Sequence, residues 1–132
     1  MNTFDFHLPT KILFGRGRVA ELGAHLPAEA EKVFIVTDGT IARKTSILER
    51  VVNALKVKEI EVFDRVEENP SIGTVEDAGR EARESGTRLV IGLGGGSPMD
   101  AAKGVALLAA NPGPLKPYLE GKPLEHPPLP VI

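Results

Sequence analysis

Apolar and polar runs alternate along the chain in a way that predicts an ordered series of elements. Residues 4–14, "FDFHLPTKILF", hold two short β-like runs separated by Pro9-Thr10, the pattern of a hairpin. "GRGRVAELGAHLP" (15–27) reads as a short helix that Pro27 ends. The continuous apolar run of "KVFIVTD", closing at Asp38, predicts a strand buried on both faces. Ile41, Leu48, Val51, Val52 and Leu55 recur at helical spacing and predict a helix with one apolar face. "EIEVF" (59–63) is the next strand. "TVEDAGREARES" (74–85) is the next helix, mostly polar with a thin stripe of Val75, Ala78 and Ala82. "RLVIGLG" (88–94) is a third strand, and a third helix runs from Pro98 to Ala110, closed by Asn111-Pro112-Gly113.

The strand starts near Val33, Glu59 and Leu89 are spaced by a little under 30 residues, the length of a βαβ unit. Short apolar runs rather than strict alternation are expected when helices cover both faces of a sheet. The fold class is therefore α/β: a doubly wound, mainly parallel, Rossmann-like sheet with an N-terminal β-hairpin over 1–14. Residues 113–132 are proline-rich and read as irregular, with Leu129 to Ile132 resembling the start of a further strand. The 132 residues fit one domain with a genuine core.

Composition then excludes several classes. There is no cysteine, so neither disulfides nor a thiolate metal site is available. The net charge of -2 argues against a nucleic-acid or anionic-membrane surface. No apolar run approaches the roughly 18–20 residues of a membrane span, and the first residues lack the pattern of a signal peptide. A cytoplasmic domain is the expectation. His7, His25 and His126 are dispersed, with no H-x-x-x-H pair, and favour surface or packing roles over metal ligation.

The segment "GLGGGSPMDAAKG" (92–104) carries the candidate chemistry. It joins the third strand to the third helix, where open α/β sheets bind ligands. "SPMD" fits a capping box, with Ser97 as N-cap, Pro98 at the first helical position and Asp100 at the third. Gly94, Gly95 and Gly96 would let a phosphate approach the main chain at the positive end of the helix. The segment reads G-x-G-x-x-S rather than G-x-G-x-x-G, and no G-K-[ST] closes it, so a β–α turn needing glycine for its conformation alone stays open on spacing. Asp38, Asn69 and Gly94–Ser97 each follow a different strand at its carboxyl end, so one extended dinucleotide could touch all three loops. Asp38 also has a reading as an ordinary Asx turn into Gly39-Thr40, and Asn69 one as an Asn-Pro turn.

"LGGGSPMDAAKGVALLAANPG" resembles the G-G-G-S-x-x-D-x-x-K signature of the iron-containing, group III alcohol dehydrogenases. "FGRG" at 14–17, "VFIVTD" at 33–38, "VEENPS" at 66–71 and "PPLPVI" at 127–132 fall in the family's order. The resemblance implies an N-terminal domain that binds a nicotinamide dinucleotide. An all-helical domain, outside these residues, would carry a divalent metal, iron or zinc. It implies hydride transfer between NAD and a small alcohol or aldehyde. Asp38 matches the residue that holds the adenosine ribose and disfavours a 2′-phosphate, hence NAD rather than NADP. Asn69 matches a cofactor-contacting asparagine, and Gly96 and Ser97 the pyrophosphate pair, with Gly94 and Gly95 supporting. Asp100 and Lys103 complete the signature, although Asp100 is also explained by the helix start and Lys103 as an exposed helix residue. No catalytic residue and no metal ligand is assigned within the chain. The resemblance also implies a homodimer formed through N-terminal strands. A glycerol dehydrogenase-like or dehydroquinate synthase-like member of the superfamily remains an alternative, as does a non-catalytic nucleotide-binding α/β domain.

Overall fold

The apolar run of the first predicted strand becomes the centre of the molecule. In the computed structural model, which describes residues 3–132, β1 (Lys32–Thr37) is buried from Val33 to Thr37. It pairs in parallel with β2 (Glu59–Phe63) on one side and β3 (Leu89–Leu93) on the other. Beyond β3, a single parallel bridge joins Val131 to Val90, with Ile132 N–H donating to Val90 C=O at 3.0 Å. The C-terminal residues thus begin a further strand, as their apolar pattern suggests. The order β2-β1-β3 requires the chain to reverse direction across the sheet at β1 and β3. Their carboxyl ends therefore flank a topological switch point, where such sheets open a crevice.

Alternate side chains of β1 serve two cores. Phe34 and Val36 face α3 (Ile72–Ser85) and α4 (Gly96–Ala110), packing with Val75, Ala78, Ala82, Ala102 and Val105. Val33 and Ile35 face the other way, toward α2 (Ile47–Leu55) and a 3₁₀ helix over Arg18–His25, with Val51, Leu55 and Leu89. Burial on both faces explains the unbroken apolar sequence of β1. Small residues let α3 and α4 approach closely: a Cβ on Gly79 would stand 2.7 Å from Leu108 Cβ.

Four expectations change. No hairpin forms over residues 3–14, which carry no strand pairing and are exposed; the first two residues of the expected hairpin lie outside the described range. An isolated two-stranded hairpin is marginal in water, and Pro9 removes a ladder donor. The helix expected to run through Ile41 and Leu55 is broken into α1 (Gly39–Lys44) and α2. At the break Thr45 is extended, its hydroxyl donating to Ile41 C=O at 2.9 Å and accepting from Ile47 N–H at 3.2 Å, a side chain competing with the helix ladder. The segment 113–132 contains a short helix, α5 (Leu115–Leu119), seated by Glu76, whose carboxylate accepts from Leu115 N–H at 2.8 Å. The rest of that segment is tied down by Asn111. Its buried side chain donates to His126 C=O at 2.8 Å and accepts from the N–H groups of Glu125 and His126.

The fourth change concerns α4. It begins at Gly96, two residues before the expected start, with Gly95 as its N-cap and no side-chain capping bond. The Ser97–Asp100 capping box does not form. Pro98 is accommodated because the first turn has no ladder bond for it to break.

Candidate dinucleotide-binding cleft

Three loops at the carboxyl ends of β1, β2 and β3 surround an open cleft of about 670 Å³. Behind it, backbone and one buried threonine hold the strand ends together. Thr37 Oγ1 donates to Leu93 C=O at 2.7 Å, fastening the ends of β1 and β3. Val66 N–H donates to Thr37 C=O at 3.2 Å, drawing the loop after β2 against them. Asp38 to Ile41, Glu67, Glu68 and Gly95 to Pro98 line the walls, with Arg43 and Lys44 at the α1 side.

Asp38 stands at the mouth of the cleft with its two oxygens doing different things. Oδ1 accepts from Thr40 N–H at 2.8 Å and Ile41 N–H at 2.9 Å, capping α1. Oδ2 faces β3, 3.4 Å from where a Cβ on Gly94 would be. The strand-end Asx turn is thus real, and it holds one carboxylate oxygen toward the crevice.

The glycines at the end of β3 and just after it have three different physical reasons. Gly92 is required by packing, since its Cβ would meet Met99 Cα and Ala102 Cβ at 3.0 Å. Gly94 is required by conformation, with φ +147°, and its Cβ would meet Pro98 Cγ at 2.8 Å. Gly95 and Gly96 are required by neither: a Cβ on each would project into open space, and neither has a positive φ. They lie at the N-terminus of the 15-residue α4, whose ladder begins with Met99 N–H to Gly95 C=O at 3.3 Å. The backbone there is uncovered, beside the positive end of a helix dipole. Such a cradle fits a pyrophosphate.

The remaining candidates separate. Ser97 lines the cleft, and its Oγ accepts from Asn69 N–H at 3.2 Å, across 28 residues. Asn69 itself has φ +53°, a left-handed conformation that asparagine tolerates. It reaches the cleft edge through its backbone, while its side chain is not part of the lining. Asp100 lies outside the cleft, on an exposed turn of α4, where its carboxylate accepts from Lys103 Nζ at 2.9 Å.

Glu67 was not singled out by the sequence. Its carboxylate accepts from Ser71 N–H at 2.8 Å and from the Thr74 hydroxyl at 2.7 Å. These donors, Ser71 N–H foremost, lower its pKa from 4.5 to about 2. The spacing of Glu67 four residues before Ser71 was its only sequence signal, and that signal is weak. Arg43 was likewise missed; it donates to Asp64 Oδ2 at 2.7 Å along the rim.

With this geometry, the comparison with known proteins is direct. The family model described as iron-containing alcohol dehydrogenase matches residues 9–132. The chain belongs to that family. It is 36% identical over 118 residues to the NADPH-dependent aldehyde reductase YqhD of Escherichia coli, covering 89% of this chain and 30% of that protein. It is 35% identical over 108 residues to the NADH-dependent butanol dehydrogenase B of Clostridium acetobutylicum, covering 80% of this chain and 28% of that one. Among solved structures, an NADH-dependent butanol dehydrogenase A from Thermotoga maritima superposes with a TM-score of 0.87 at 33% identity, over 99% of this chain and 34% of its own. A sulfoacetaldehyde reductase from Bifidobacterium kashiwanohense in complex with NAD+ superposes with a TM-score of 0.86 at 26% identity, over 99% of this chain and 35% of its own. The chain thus spans about a third of the length of these iron-containing alcohol dehydrogenase relatives. Among the described residues, no group of three or more His, Asp or Glu side chains comes together to hold a metal, so the metal that gives this family its name finds no fitting site in this segment. No helix among them is long and apolar enough to cross a membrane.

Proposed function

We propose that this chain is the cofactor-binding part of an NAD-dependent, metal-dependent alcohol dehydrogenase that transfers hydride between a small alcohol or aldehyde and NAD. The observation that carries this reading is the pair Gly95 and Gly96. They face an open cleft at a helix N-terminus, and neither a close contact nor a positive φ demands glycine at either position. A dinucleotide pyrophosphate accounts for both. Bound there, NAD would accept hydride from the alcohol carbon or return it to the aldehyde. The residues of this chain bind and orient that cofactor: Gly95, Gly96 and Ser97 meet the pyrophosphate, and Asp38 meets the adenosine ribose.

NAD is favoured over NADP because the Asp38 carboxylate accepts hydrogen bonds from two ribose hydroxyls but repels a 2′-phosphate. The relatives divide on this point, one named for NADPH and another for NADH. Calorimetric titration with NAD, NADP and ATP tests the reading. NAD binding tighter than NADP and ATP supports it, and ATP binding alone would support a general nucleotide domain.

We propose further that the chain self-associates through residues 3–14. Phe4 is 88% exposed, Phe6 79% and Phe14 94%, a concentration of uncovered apolar surface on a segment with unpaired backbone.

A further inference from the structure

Arg43 lines the same cleft as Asp38, yet its charge is already engaged. It is four residues after Gly39 on α1, and its side chain folds back over the backbone that follows Asp38. A Cβ on Gly39 would stand only 2.7 Å from Arg43 Nη1. Glycine at position 39 therefore leaves the guanidinium room at the ribose end of the cleft. The other guanidinium nitrogen, Nη2, donates to Asp64 Oδ2 at 2.7 Å, just beyond the end of β2. The Arg43 side chain is 64% exposed and that of Asp64 28%, so at the rim the arginine stands in solvent and the carboxylate is largely covered.

We propose that Asp64 is a second determinant of dinucleotide choice, a positioning residue that acts by holding and neutralising Arg43. This rests on the dinucleotide reading of the cleft. With Asp64 in place, a 2′-phosphate meets the Asp38 carboxylate and an arginine already paired. Without it, the guanidinium is available for bidentate contact with a phosphate dianion, the geometry in which arginine is strongest. The arginine end of the pair is in solvent, where ion pairs are weak, so breaking it costs the fold little. The other charged side chains lining the cleft, Lys44, Glu67 and Glu68, remain unchanged by this exchange.

The test is a set of dissociation constants for NAD and NADP, with 2′,5′-ADP and 5′-AMP as probes lacking the nicotinamide. Asp64→Asn is expected to improve NADP affinity relative to NAD by about 3–10-fold, with NAD affinity within about twofold of the native value. In an Arg43→Ala background, Asp64→Asn is expected to change neither ratio. The gain should shrink at high salt, as an exposed charge interaction does. An unchanged NADP/NAD ratio in folded Asp64→Asn overturns the proposal. So does an equal gain when Arg43 is absent, because the effect would then be general field rather than Arg43. Failure of the native protein to bind NAD is a separate result: it contradicts the cleft reading itself, and the proposal with it.

Discussion

Asn69 and Ser97 stand on different loops, and the Asn69 N–H donates to Ser97 Oγ at 3.2 Å. This bond takes the serine hydroxyl away from the helix-capping role its position suggests. It also ties the loop after β2 to the loop after β3, joining two walls of the cleft. Ser97→Ala should leave the fold intact, with a stability loss of about 0.5–1.5 kcal/mol. It should weaken NAD binding about 3–10-fold, because the rim is no longer fastened and one hydroxyl is lost. Amide exchange at Asn69, compared between native and variant proteins, checks the mechanism: protection there should fall while that of β1 is unchanged.

Asp38 combines a cap and a charge, and the two separate by substitution. Asparagine caps helices about as well as aspartate. Asp38→Asn should therefore keep the bonds to Thr40 and Ile41 and shift the melting temperature little, while relaxing the discrimination against NADP. Asp38→Gly removes both bonds, at a stability cost of a few tenths of a kcal/mol, and should relax the discrimination in the same way. An NADP/NAD affinity ratio unchanged in both variants contradicts the assignment of the carboxylate to the ribose.

Glu67 gives the β2 loop a pH dependence of known sign. Its pKa is lowered in the folded protein to about 2 from 4.5, so its stabilising contribution is fully present above pH 4.5. That contribution is lost as pH falls through 4.5 toward 2. Urea midpoints measured between pH 6 and pH 2 should fall more steeply for the native protein than for Glu67→Gln, which has no carboxylate to titrate. Parallel curves would show that the bonds to Ser71 and Thr74 do not anchor the loop in solution.

The exposed N-terminal segment predicts an assembly experiment. Removing residues 1–10 takes away Phe4, Phe6 and Leu8, and should weaken self-association measured by light scattering across a concentration series. A native protein that is monomeric throughout that series contradicts the proposal. Core elements should be unaffected, since no described residue of 3–14 is buried.

Much of the sheet was legible in the sequence because β1 is central and β3 is buried from Leu89 to Ile91, so their residues have no polar alternation to confuse the reading. The positions of Asp38 and Gly94–Ser97 on one sheet edge followed from that order. What was not legible depended on partners distant in sequence. Ser97 and Asp100 match a local capping pattern, yet Ser97 bonds to a residue 28 positions earlier and Asp100 to Lys103. The break between α1 and α2 turns on the Thr45 hydroxyl, a local competitor whose outcome periodicity does not register. The two β-like runs at the N-terminus have the propensity for a hairpin, but residues 3–14 are exposed and without strand pairing, so no burial supports one. Glu67 and Arg43 are unremarkable in sequence and matter only through the groups beside them.

The central claim is that Gly95 and Gly96 leave space for a dinucleotide rather than serving the fold. Titration of NAD into native protein and into Gly95→Val, with thermal unfolding of both, tests it most directly. Gly95 is extended with a negative φ of -82°, and a Cβ there meets nothing. The variant should therefore melt close to the native temperature and lose NAD binding by at least about tenfold, a loss of about 1.4 kcal/mol or more. A folded Gly95→Val that binds NAD as tightly as the native protein would contradict the account.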